Sequence, residues 1–111
     1  MNAKIESVLN EIIGKLKENY DPLKVILFGS YAYGEPTDDS DIDLFIVKNT
    51  DKRRSDRFVD VKRVLYNSNI RVPISPLAYT KEELEERVRI GDDFILEILQ
   101  KGVVLYEKAI S

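Results

Sequence analysis

Ile5, Val8, Leu9, Ile12, Ile13 and Leu16 recur three and four positions apart. That is the period of one helix face and predicts a helix over Ala3 to Asn19. Pro22 cannot continue it and restricts Asp21 before it. The pattern then changes. Leu23 to Phe28 is an apolar run broken only by Lys24 and closed by Gly29, which reads as a buried strand. Ser30 to Gly34 has room for one helical turn, and the stretch to Ser40 reads as loop. Asp41 to Val47 is a second strand, followed by a polar linker over Lys48 to Asp56. Phe58, Val61, Val64 and Leu65 predict a helix from about Asp56 to Tyr66, ended by Asn67-Ser68-Asn69. Ile70 to Tyr79 is strand-like, but Pro73 and Pro76 predict an edge or irregular strand. Thr80 with Glu83 is a capping box opening another helix. Gly91 separates it from a last helix on which Phe94, Ile95, Ile98 and Leu99 share a face. Gly102 is placed as its C-cap, and Val103 to Glu107 is a final strand. The order α, β, β, α, β, α, α, β predicts one α/β (α+β) domain over residues 1–111, a small mixed sheet with helices over one face.

Composition narrows the chemistry. With neither cysteine nor histidine, there is no thiolate site and the commonest general base and zinc ligand are missing. Catalysis would rest on carboxylates, hydroxyls, Lys, Tyr or a bound metal. A net charge of −3 argues against a generic nucleic-acid clamp, which needs clustered Lys and Arg. The first residues show no signal-peptide apolar region, and no apolar run reaches membrane-spanning length. The absence of cysteine fits a reducing interior, so a cytoplasmic location is expected.

The chemistry concentrates between Val25 and Val47. Side chains of a strand alternate faces, so Asp41 and Asp43 point one way and Ile42 the other. Their carboxylates stand roughly 7 Å apart, from about 3.3 Å of rise per residue. Two like charges on one face repel unless cations sit between them, and hard oxygen ligands select Mg²⁺ or Mn²⁺. Gly29 after a strand lets backbone approach a phosphate, the following N–H groups point at an anion, and Ser30 adds a hydroxyl. A solvated hairpin is the ordinary reading of either half alone. Their conjunction at this spacing points to metal ions and a nucleoside triphosphate held between them.

Gly29-Ser30, then Tyr31 to Ser40, then Asp41-Ile42-Asp43 resembles the signature of the DNA polymerase beta-like nucleotidyltransferase superfamily. The stretch "GSYAYGEPTDDSDIDLFIV" is most similar to its minimal nucleotidyltransferases, and the order of elements agrees along nearly the whole chain. The resemblance implies the polymerase beta-like fold. It implies that Gly29 and Ser30 bind the phosphates of an NTP, ATP foremost. It also implies that Asp41 and Asp43 are catalytic and ligate Mg²⁺ (or Mn²⁺), while an acceptor oxygen attacks the α-phosphorus and pyrophosphate leaves. Minimal members are paired with a helical HEPN-type ribonuclease, and some are antitoxins that transfer AMP onto that partner toxin. The superfamily also uses a third carboxylate on the next strand. Aligned on Val72-Pro73 and Tyr79-Thr80, that position here is Ser75. A hydroxyl is a poor base and a poor metal ligand beside a carboxylate. The expectation is therefore a nucleotidyltransferase, or a catalytically impaired nucleotide-binding or toxin-neutralising module of the same fold.

Asp60, Asp92 and Asp93 are the acids that would substitute for the missing one, although acids on helix surfaces are ordinarily just solvated. Tyr31 and Tyr33 either stack on a base or pack locally. Lys52 to Arg57 ("KRRSDR") reads as a solvated linker. An apolar helix face left uncovered would dock a partner helix or a second copy.

Overall fold

The computed structural model describes residues 3–66 and 70–109. Its elements are α1 (Ala3–Asn19), β1 (Lys24–Phe28), α2 (Ser30–Tyr33), β2 (Ile42–Val47), α3 (Arg54–Leu65), β3 (Ile74–Tyr79), α4 (Lys81–Arg89), α5 (Asp93–Lys101) and β4 (Val103–Glu107). The sequence order of elements holds, and the expected stop at Asn67-Ser68-Asn69 lies outside the described residues. The strands form one sheet in the order β3-β2-β1-β4. β1 runs antiparallel to both β2 and β4, whereas β2 and β3 are parallel. β2 and β3 are joined through α3, as a parallel pair requires a crossover.

α1 ends at Asn19 as the Asp-Pro pair predicts, but the conformation of Asp21 differs from the expected one. Asp21 adopts a left-handed φ of 54° rather than an extended one, and its amide, like that of Tyr20, donates to the Leu16 carbonyl at 2.9 Å. Aspartate tolerates this conformation better than most residues with a side chain, and its carboxylate is held by Lys108, 2.9 Å away just beyond β4.

The strands β1 and β2 are apolar on both faces, so both need cover. On the first face Val25, Leu27, Ile42, Leu44, Ile46, Ile74 and Ala78 meet the α1 stripe (Ile5, Leu9, Ile12, Leu16) and Val61 and Leu65 of α3. That is the one-sided helix layer the pattern predicts. The second face is covered in part as well, which corrects that expectation: Ile95 and Ile98 of α5 pack on Ile26, Phe28, Phe45, Val47 and Tyr79. Only Ile95 and Ile98 of the predicted α5 face are buried, while Phe94 and Leu99 flank them half exposed. Gly102 ends α5, but with a φ of −67°. Its need for glycine is steric: a Cβ would stand 2.4 Å from the Ile98 carbonyl oxygen and 2.5 Å from Ile26 Cγ2.

The edge strand β3 is shaped by α3. The Ile42 amide donates to the Pro73 carbonyl and the Lys48 amide to the Tyr79 carbonyl, so odd-numbered residues of β3 turn their backbone toward β2. Pro76 therefore places its missing N–H on the open side, where a strand tolerates proline. The outward carbonyls on either side are also taken: Lys62 Nζ donates to Ile74 at 3.0 Å and Arg57 Nη1 to Ala78 at 3.1 Å.

α3 begins at Arg54, two residues earlier than the apolar pattern suggests, and its inward positions are 57, 61 and 65. Arg57 is 5% exposed whereas Phe58 is 46% exposed. Arginine holds the inward place because each face of its guanidinium fork is matched. Nε donates to the Lys52 carbonyl at 2.7 Å, and Nη1 meets the Glu83 carboxylate at 2.6 Å. Glu83 completes the capping box with Thr80 that begins α4. Partial burial raises the Glu83 carboxyl, but hydrogen bonds from Arg57 and the Thr80 amide and the charges of Arg57 and Arg54 outweigh it, leaving it below the usual glutamate range. A depressed carboxylate adds stability at neutral pH that is lost as pH falls through its folded pKa. Arg57→Ala is expected to destabilise the fold by about 2–4 kcal/mol, since it strands two carbonyls and one carboxylate together. Urea denaturation checks the loss, and the variant should show a smaller decline in stability on acidification.

Candidate active site

β1 ends at Phe28, and the chain leaves it through Gly29 at φ 73° and ψ −153°, a region open essentially to glycine alone. A Cβ there would stand 2.1 Å from Asp43 Oδ2. Glycine is thus required twice, by the backbone and by the carboxylate packed against it. α2 is a single turn. The amides of Ala32 and Tyr33 donate to the Gly29 carbonyl at 3.0 Å, while those of Ser30 and Tyr31 precede any acceptor within the turn. Gly34 closes it, and a Cβ there would meet Ser30 Cα at 2.9 Å. Gly34 thus ends the single turn expected over Ser30 to Gly34.

The loop to β2 is tied by Thr37 and Ser40. The Thr37 amide donates to Ser40 Oγ at 2.8 Å and the Ser40 amide returns to the Thr37 carbonyl at 3.1 Å. This delivers Asp41 to the mouth of β2. Ile42 is fully buried in the first-face core, so alternation turns Asp41 and Asp43 to the second face. In the sheet register Asp43 lies opposite Phe28 on β1 and Ser75 on β3. Ser75 Oγ donates to Asp41 Oδ2 at 2.9 Å. Gly29, Ser30, Asp41, Asp43 and Ser75 are therefore brought together at one end of the sheet.

Burial first, and then the charge of Asp41, pushes the Asp43 carboxyl above its ordinary value. No ion pair among the described residues reaches either aspartate. Nor do three His, Cys, Asp or Glu side chains converge anywhere among the described residues. The donor set is two carboxylates and a hydroxyl, all oxygen, which suits Mg²⁺ or Mn²⁺ and is one acid short of a full carboxylate triad. A carboxylate raised in the folded state weakens the fold as pH rises past its unfolded pKa. Asp43→Asn is therefore expected to raise the melting temperature at pH 7 in the presence of a chelator, and to lose that advantage when Mg²⁺ is added. Thermal denaturation with and without the ion reads both.

The other acids lie elsewhere. Asp60 is on α3, over the opposite face of the sheet, and pairs with Lys52 at 2.7 Å. Asp92 is the N-cap of α5, accepting from the Phe94 and Ile95 amides, and faces Arg87 at 3.7 Å. Asp93 opens α5 and is exposed. Tyr31 packs against the first-face core, and Tyr33 lies under Lys101, with Nζ 6.0 Å from its ring centre. Arg57, the last residue of the basic stretch, is structural. No helix among the described residues is long and apolar enough to cross a membrane.

Comparison with known proteins bears on the family and the fold. A family model for the nucleotidyltransferase domain matches residues 9–109. Two proteins of Methanocaldococcus jannaschii, each named "Putative protein adenylyltransferase", align over most of the chain. One is 30% identical over 109 residues, covering 94% of this chain and 73% of its own length. The other is 33% identical over 103 residues, covering 91% and 97%. A crystal structure from Sulfolobus solfataricus, titled as that of "a putative nucleotidyltransferase", superposes with a TM-score of 0.61 over 92% of this chain and 79% of its own, at 23% identity. That likeness bears on the fold alone. With a family model spanning nearly all of its length, and a Gly-Ser turn facing an Asp-x-Asp strand, the chain belongs to the nucleotidyltransferase-domain family.

Proposed function

We propose that this protein binds a nucleoside triphosphate, ATP foremost, with Mg²⁺ or Mn²⁺ at Asp41 and Asp43, and transfers its nucleoside monophosphate to a protein acceptor at a reduced rate. The observation that carries this reading is the bond from Ser75 to Asp41 beside an unneutralised Asp43. The carboxylate pair is kept and is unfavourable by itself, whereas the third acid is replaced. Two relatives named as protein adenylyltransferases support adenylate as the group moved and a protein as acceptor. The helical HEPN-type ribonuclease implied by the resemblance is the first acceptor to test.

The chain's own contributions follow from position. The bare backbone of Gly29 admits the phosphates, the Ser30 and Tyr31 amides and the Ser30 hydroxyl donate to them, and Asp41 and Asp43 would hold the ions. Divalent ions would supply neutralisation of the triphosphate's charge and of the leaving pyrophosphate. Ser75 orients Asp41 but, as a hydroxyl at neutral pH, takes no proton from the acceptor, so deprotonation is where the rate is lost. A pure binding module differs in one respect: it would bind the Mg-nucleotide and the partner without transfer. Titrating Mn²⁺ into the wild type and an Asp41→Asn/Asp43→Asn double variant tests the ion site, and binding should be lost in the variant. Equal affinities would overturn the reading. Mass spectrometry of the partner after incubation with Mg-ATP then separates a slow enzyme from a binding module.

A further inference from the structure

We propose that Phe94 is the platform on which the nucleobase stacks; the inference rests on the proposed nucleotide site. Phe94 opens α5, and its ring centre lies 5.8 Å from that of Phe28 with the planes at 83°. Phe28 is the residue before Gly29 and the register partner of Asp43, so its buried ring forms the floor beside the phosphate turn and the carboxylate pair. Phe94 stands on that floor with 47% of its surface exposed, although a phenyl ring in a helix this apolar would ordinarily turn inward. The helix is held in line with the turn at its other end. Lys101, seven positions on and therefore on the same side of α5, lies over the ring of Tyr33 at the end of α2. The flank of α5 from Phe94 to Lys101 thus forms a wall along the site. The Tyr33 ring facing that wall from α2 is already met by a cation, while Phe94 presents an open aromatic surface beside Phe28, the strand neighbour of Asp43.

An aromatic ring at this place recognises any base through its π-face and discriminates little between bases. Triphosphate contacts and base stacking would then be separable. The test uses Mg-ATP and Mg-tripolyphosphate as paired probes, with Phe94→Ala and Phe94→Trp. The native chain contains no tryptophan, so the second variant carries a single fluorophore at the proposed platform. Phe94→Ala should weaken Mg-ATP binding by about 5- to 150-fold, the range for loss of one stacked base, and leave Mg-tripolyphosphate binding unchanged. Phe94→Trp should keep ATP affinity, and its emission should be quenched by ATP but not by tripolyphosphate. Unchanged ATP affinity in Phe94→Ala, equal losses for both probes, or a tryptophan insensitive to ATP would each overturn the stacking role while leaving the phosphate site standing. A wild type that binds neither probe would overturn the nucleotide site itself, and the platform with it. If Phe94→Ala does not fold, the tryptophan variant decides alone.

Discussion

Replacing Ser75 by aspartate is expected to raise Mg²⁺-dependent nucleotidyl transfer by about 10²–10⁴-fold, the usual contribution of a positioned general base. The side chain already points where it must. Ser75 is the register neighbour of Asp43 and its hydroxyl reaches Asp41, so a carboxylate on the same Cβ enters the same cluster. Nucleotide binding should change much less, because Gly29, Ser30 and the aspartate pair are untouched. A third negative charge beside two others is unfavourable until ions arrive, and the variant should therefore melt lower than wild type in a chelator and regain stability with Mg²⁺. The measurement is transfer of labelled AMP to the proposed protein acceptor by both proteins under matched conditions. No gain in rate from a folded, ion-binding Ser75→Asp would mean that deprotonation of the acceptor is not the limiting deficiency.

The largest loss is expected at Gly29. Any side chain there meets Asp43 Oδ2 at 2.1 Å from the Cβ and must also hold a φ of 73°. Backbone strain of this kind costs about 1–3 kcal/mol, and the displaced carboxylate is one of the two proposed ion ligands. Gly29→Val should fold with reduced stability and bind ATP at least about 100-fold more weakly, a change of roughly 2.7 kcal/mol. Ser30→Ala deletes one donor and leaves the backbone alone. Its effect on ATP affinity should be near 1 kcal/mol, rising to about 3 if the bond is charge-assisted. Calorimetric titration of both variants, with circular dichroism to verify folding, reads the two effects. Native affinity in a folded Gly29→Val would put the phosphates somewhere else.

Much of the architecture was legible because periodicity reports local geometry directly. The α1 stripe, the two apolar strands, the capping box at Thr80 and the edge character of a strand with Pro76 all follow from side-chain spacing and backbone chemistry. Alignment of the Val72-Pro73 and Tyr79-Thr80 anchors also placed Ser75 beside the aspartates, where the strand register has it. What spacing does not report is the tertiary partner. The charged run Lys52 to Arg57 reads as linker, and only the approach of Glu83 and the carbonyls of Lys52 and Ala78 makes Arg57 the buried member of its turn. The spacing puts Phe94, Ile95, Ile98 and Leu99 on one apolar face. That face spans an arc of about 140°, and only its middle, Ile95 and Ile98, meets the sheet. The pattern predicts helices over one face only, and the cover that α5 gives the second face is a tertiary pairing that spacing does not report.

The outer edge of β3 bears on how an acceptor reaches the site. A peptide that joined the sheet beside Ser75 would need donors and acceptors from residues 74, 76 and 78. Lys62 and Arg57 already hold two of those carbonyls, and Pro76 has no hydrogen to offer. Strand addition is thereby denied at the edge nearest the carboxylates. A protein acceptor of the proposed reaction would then approach from above the second face, on a folded surface or a loop, and its recognition would depend on shape and side chains rather than on an extended backbone.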